Sequence, residues 1–189
     1  MFKRLVSIFG FFAIALSFSP AWADEYQDTI NVFKKAGESA KFFNTAYGYA
    51  VFPTIGKGGA GIGGGFGNGR VYQKGKYVGD TSMAQLTIGL QLGGQAYSEI
   101  IFFENEAAFK QFTQGNFEFA ADASAVAITA GANAKASTTG ASAGASATKN
   151  AAATAGGYHN GMATFTVAKG GLMYEAAIGG QKFKYMPKH

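Results

Sequence analysis

The sequence contains no cysteine, two histidines and a single tryptophan. Without cysteine there is no disulfide, no thiol nucleophile and no attachment site for a lipoprotein anchor. The two histidines are His159, in the turn-like stretch "GGYHNG", and His189, the last residue. No His/Asp/Glu group has metal-ligand spacing. A serine triad would have to use His159, and no nucleophile-elbow motif accompanies it. Glu99 and Glu104 have opposite parity on one strand and read as solvated acids. The expectation is a protein without catalysis, metal or cofactor. Charged residues are also scarce, at 14% of the chain. Long apolar runs are absent after the first twenty residues, so no later helix would cross a bilayer.

What is present begins with a leader. Lys3 and Arg4 precede the apolar run "LVSIFGFFAIALSF", and Ala21-Trp22-Ala23 fits small-x-small cleavage. Residues 1–23 therefore read as a signal peptide; a retained N-terminal anchor is the alternative. Residues 24–189 then form one domain, periplasmic or secreted in a bacterium. The whole chain carries +5 at pH 7. Of its 16 basic residues two leave with the leader, so 14 face 11 acids. After Asp24, Glu25 and Asp28, a basic stretch runs from Lys34 to Lys76 against only Glu38 and Asp80. Lys182, Lys184 and Lys188 repeat the bias at the end. Scattered charge is a solvated surface; two basic stretches favour an anionic partner. So small a charge on an exported chain argues against nucleic acid.

Residues 26–43 follow an amphipathic helical stripe through Tyr26, Ile30, Phe33, Gly37 and Ala40, with Lys34 and Lys41 away from it. The helix packs on its own domain, lies on a membrane surface, or does both with different faces. Strands follow. "YGYAVFP" stops at Pro53, and "GRVYQKGKYVGD" turns at Lys74-Gly75. "MAQLTIGLQL" alternates, with Ala84, Leu86, Ile88, Leu90 and Leu92 on one side. Gly93-Gly94 reads as a turn into the return strand "QAYSEIIFF". A short helix is capped by Asn105, buries Phe109 and Phe112, and ends at Gly115. In residues 125–150 the alanine parity flips after "STTG", which predicts a hairpin rather than a linker. "MATFTVA", "LMYEAAI" and "QKFKYM" read as a closing meander. The fold class is α+β, mostly antiparallel: a strongly curved sheet or partly closed barrel with an N-terminal helix and a short mid-chain helix.

The glycine-rich run "GKGGAGIGGGFGNGR", residues 56–70, matches G-x-G-x-x-G twice. In a segment this rich in glycine such matches are nearly free. No helix signal follows and no P-loop Ser/Thr is present, so no nucleotide is expected. Gly59, Gly61, Gly63, Gly65, Gly67 and Gly69 share one parity; Ala60, Ile62 and Phe66 share the other. A strand with one bare face has this pattern, because bare backbone lets another element approach. These are structural glycines.

From "AYGYAVFPTIGKGGAGIGGGFGNGRVY" the sequence resembles the SYLF domain family, in its bacterial exported branch. The likeness continues through "LTIGLQLGGQAYSEIIFFENEAAFKQF", "FEFAADASAVA" and "KGGLMYEAAIGGQKFKY", covering about residues 26–186. The resemblance implies lipid binding. Eukaryotic members bind phosphoinositide membranes through a basic amphipathic N-terminal segment, and some yeast relatives bind actin. The corresponding segment here carries Lys34, Lys35 and Lys41, preceded by three acids, and the Ala/Ser-rich insert at 131–157 departs from the eukaryotic pattern. The expected partner is anionic phospholipid or a membrane surface, contacted through Lys34, Lys35, Lys41, Phe42 and Phe43. Lys182, Lys184 and an apolar cavity of the sheet are the reserve sites. The alternative is a structural or adhesive envelope protein that binds another protein.

Overall fold

The computed structural model of the chain describes residues 21–128, 157–169 and 177–189, and at 21–24, 60, 61 and 87–95 the backbone alone. The described residues begin with three helical pieces, α1 (Ala21–Lys35), α2 (Gly37–Ala40) and α3 (Phe42–Thr45). Two long strands follow, β1 (Gly48–Gln73) and β2 (Lys76–Phe103), then α4 (Glu106–Thr113). The remaining strands are β3 (Phe117–Glu118), β4 (Val126–Ile128), β5 (Met162–Lys169) and β6 (Gln181–Pro187). They form one strongly curled, mostly antiparallel half-barrel sheet, as the sequence predicts.

The frame is the β1–β2 hairpin. It turns at Lys74 and Gly75, both at positive φ, the combination a two-residue type I′ turn requires. β1 pairs β2 from Gln73↔Lys76 back to Gly48↔Phe103. The other edge of β2 is divided between two partners. Gly79–Gln85 pair with β6, and Ala96–Phe103 pair with β5. The last strand therefore does not lie beside β5 but pairs further back along the same edge of β2; the predicted middle strand "LMYEAAI" lies mostly outside the described residues.

Two local signals yield to this long pairing. Pro53 does not stop the strand, because it sits in the register shift between Phe52 and Ile55, where no ladder N–H is needed. Its carbonyl accepts a 2.7 Å bond from Ser98 Oγ. Gly93-Gly94 does not turn the chain either. These residues stand opposite Gly59 and Gly58 within the continuous ladder, so bare backbone on both strands occupies the middle of the curled hairpin.

The predicted single helix over 26–43 is broken. Ala36 adopts an extended ψ of 126°. The buried Ser39 hydroxyl then donates to the Phe33 carbonyl at 2.6 Å, satisfying the interrupted end of α1. Replacing Ser39 by Ala is expected to cost about 1–2 kcal/mol, since a buried acceptor loses its partner. Urea denaturation should show a lower midpoint at unchanged slope. A midpoint equal to the parent's would mean the hydroxyl does not hold the break. α4 follows the sequence closely: Asn105 Oδ1 accepts from Ala108 N at 3.0 Å, Phe109 and Phe112 are buried, and Gly115 has φ +104°.

Two cores result. Inside the curl lie Phe52, Ile55, Met83, Phe103, Phe112 and Phe183. Outside it, Ile30 and Phe33 of α1 and Phe42 of α3 pack on Val51, Phe102 and Phe165. Residues 1–20 and most of the predicted alanine hairpin at 125–150 lie outside the described residues; its first strand residues, Val126–Ile128, pair in parallel with Phe165–Val167.

Candidate membrane-contact site

The expected contact residues fall in two places. Lys34 and Lys35 end α1, and Lys41 sits between α2 and α3; all three are exposed. Lys34 Nζ lies 5.5 Å from the centroid of the Phe43 ring, and Lys41 Nζ lies 5.2 Å from that of Phe42. These rings hold the two ammonium groups near the surface they present. Phe43 is half-buried and packs edge-on against Phe102. Phe42 is a correction. It is only 3% exposed and touches Phe102, Tyr158 and Phe165, so it is a core residue and does not reach a bilayer. It anchors the helical cap on the sheet.

Lys182 and Lys184 lie elsewhere, on the outer side of β6. They pair with Ala84 and Ser82 of β2, while the alternate residues Gln181 and Phe183 are buried. Lys182 has one acid nearby, Glu118 at 3.8 Å, with both side chains mostly exposed. Such a pair contributes little.

The glycine run is explained by where β1 goes. Its second half comes back against its first. Gly63, Gly65, Gly67 and Gly69 are buried, whereas Ile62, Gly64, Phe66 and Asn68 are exposed. A Cβ on Gly67 would stand 2.6 Å from Ile55 Cγ1, and one on Gly69 would stand 2.7 Å from the Phe52 ring. The element admitted by the bare face is the same strand. Gly59 has φ +155° and sits just before the shift between Ala60 and Ile62; the surroundings of Gly61 lie outside the described residues.

This arrangement sets the direction of the alternation at the start of "MAQLTIGLQL"; the side chains of Ile88, Leu90 and Leu92 lie outside the described residues. Gln85 is buried and Leu86 is 69% exposed. With the inner face taken by glycine and glutamine, the large apolar residues are left outside: Ile62 is 67% and Phe66 59% exposed. Sequence reading missed these three as surface residues. The signal was available, because a covered glycine face puts Ile62 and Phe66 on the other side.

A second miss is Glu99, which is not a solvated acid. It is 0% exposed, on the inner face opposite Thr166 of β5. Gln181 Nε2 donates to its Oε2 at 3.0 Å and to the Tyr97 hydroxyl at 3.1 Å. Burial pushes the Glu99 carboxyl up to about 7, against the smaller opposite effect of the Gln181 bond. Glu104 is exposed, as expected. A separate cavity of about 320 Å³ lies near α4 and the start of β5, lined by Phe117, Phe119, Met162 and Ile178 with His159 and Asp122. Among the described residues no helix is long and apolar enough to cross a membrane.

This fold and these residues can be set beside known proteins. Residues 84–184 match the family model Ysc84, described as Las17-binding protein actin regulator. The chain belongs to the Ysc84 family. This is the SYLF family that the sequence resembles, and it is lipid-binding in relatives. The match runs from β2 through β6, so it takes in the Glu99 cluster and the Lys182–Lys184 strand, while the helical cap lies before it. The chain is also 28% identical over 164 residues to Beta cell expansion factor A of Aeromonas veronii. That alignment covers 82% of this chain and 51% of the relative, so the chain spans about half the relative's length.

Proposed function

We propose that this Ysc84-family protein is a non-enzymatic membrane-binding protein of the bacterial cell envelope, exported by its leader and drawn to anionic phospholipid by exposed lysines. The observation that carries this reading is the surface of the helical cap. Lys34, Lys35 and Lys41 are exposed within one short stretch, two of them braced over aromatic rings. The lipid binding of relatives supports it. Each lysine near an anionic surface contributes about 1 kcal/mol at most, so the three together give weak, salt-sensitive attraction.

The test is the triple variant Lys34→Gln, Lys35→Gln, Lys41→Gln in sedimentation with phosphatidylglycerol-containing vesicles. Binding should fall several-fold at low salt while the melting temperature stays that of the parent, because these side chains lie outside the core. Parental binding by the variant would remove the cap from the site.

A further inference from the structure

Three large apolar side chains stand on the outer face of the hairpin, and their neighbours are cationic. Directly opposed residues of an antiparallel pair share a face, and diagonal neighbours are in reach of long side chains. The register Gly64↔Leu86 and Phe66↔Ala84 places Leu86 diagonal to Phe66, and Ile62, two residues before Gly64, is diagonal to Leu86 on its other side. The row of Phe66 continues through Ala84 to Lys182 of β6, and the next row runs Asn68, Ser82, Lys184. Every residue of these two rows is exposed except Ser82, which is half-buried; the intervening Gly63, Gly65, Gly67, Met83, Gln85 and Gln181 are buried. The face is therefore unambiguous. It has an apolar tip and a cationic flank. The helical cap packs elsewhere, over Val51, Ile100, Phe102 and Phe165. Among the described residues Ile62, Phe66 and Leu86 are left open.

We propose that this face, with Ile62, Phe66 and Leu86 as the inserted tip and Lys182 and Lys184 as its cationic flank, docks on an anionic lipid bilayer. The proposal rests on the membrane-binding reading above and adds to it an apolar contact larger than the cap offers, where Phe42 is buried and Val32 is the large apolar side chain exposed. Charge complementarity selects the occupant. Apolar side chains set beside lysine match a bilayer interface, where tails receive the first and headgroups the second. A two-fold contact between copies would meet the apolar tip equally well, but it would bring the lysine pairs of both copies to one interface, since each contributes the same patch. The carboxylates on or beside this face are Glu118, near Lys182, and Asp80, which accepts a 2.6 Å bond from the Tyr77 hydroxyl. Lys184 has no ion pair among the described residues.

The experiment compares the full mature chain with the variant Ile62→Thr, Phe66→Thr, Leu86→Thr, which keeps β-propensity while removing apolar area. Vesicles are equimolar phosphatidylglycerol and phosphatidylcholine, or phosphatidylcholine alone. The variant should bind the anionic vesicles about tenfold more weakly or worse, at parental melting temperature and parental oligomeric state. Independently, Phe66→Trp, which gives residues 24–189 their single tryptophan, should shift its emission to the blue on adding anionic vesicles. If the parent binds and the threonine variant binds equally, this face is not the docking surface, although the membrane reading stands. If the parent binds neither vesicle, the membrane reading itself fails. A threonine variant that melts earlier or changes oligomeric state would show the face covered by its own chain or by a second copy, and overturns the assignment.

Discussion

Replacing Glu99 by Gln should make the protein more stable at pH 8 and abolish the fall in its stability between pH 5 and pH 7. The carboxyl is fully buried and raised from 4.5 to about 7 by desolvation. Below the unfolded value both states hold the proton and the group contributes nothing. Between about 4.5 and 7 the unfolded chain releases its proton while the folded chain keeps it, so stability falls as pH rises. Above the folded value the full difference is present, on the order of 3 kcal/mol. Gln is close in shape and cannot ionise. Its carbonyl can accept the bond that Gln181 Nε2 now donates to Glu99. Its amide N–H meets a site with unpartnered acceptors, Thr166 Oγ1 and Gln181 Oε1. Thermal melts of parent and variant from pH 5 to pH 8 read the result directly. A variant that keeps the parental slope would mean that other groups set it.

Gly69→Val should be among the most damaging single changes in the glycine run, and Gly65→Ala among the mildest. A Cβ on Gly69 would lie 2.7 Å from two carbons of the Phe52 ring and 2.8 Å from the Val51 carbonyl oxygen. Phe52 is a fully buried core residue and the oxygen is backbone, so neither gives way cheaply. A loss of about 3 kcal/mol is expected, the upper range for overpacking. At Gly65 the nearest atoms to a Cβ are 3.7 Å away, an ordinary contact. There Ala also restricts the unfolded chain, and the net change should stay within about 0.5 kcal/mol. Denaturant midpoints separate the two. Equal effects would mean that β1 does not fold back on itself as described.

These two sites show what was legible in the sequence. Features set by neighbours along the chain were read correctly. Asn105 caps α4, Lys74-Gly75 makes the hairpin turn, and the same-parity glycines Gly63, Gly65, Gly67 and Gly69 form a bare strand face. Features set by distant pairing were not. Pro53 and Gly93-Gly94 carry stop and turn signals, but each lies opposite a long partner strand whose ladder continues past it. The register shift between Phe52 and Ile55 then exchanges the two faces of β1, so parity counted along the sequence does not say which face is inside. Leu86 and Gln85 illustrate the outcome: alternation was seen, and its direction was fixed by the glycines of the other strand. Glu99 was beyond reach for the same reason. Its partners Gln181 and Thr166 come from β6 and β5, far along the chain.

Of the residues expected to make contact, exposure was legible for the lysines and not for Phe42. The lysines are exposed where expected. Phe42 was misassigned because a helical stripe drawn over 26–43 ignores the break at Ala36, after which Phe42 turns onto Phe102 and Phe165.

The most direct measurement is sedimentation of the mature chain with vesicles of phosphatidylcholine alone and of phosphatidylcholine with phosphatidylglycerol, at about 0.1 M and about 1 M salt, over which the screening length falls from about 10 Å to about 3 Å. The account predicts that the protein pellets with the anionic vesicles at low salt, is largely released at high salt, and stays in the supernatant with the neutral ones. Failure to pellet with anionic vesicles at low salt, or equal pelleting with both compositions, would contradict it.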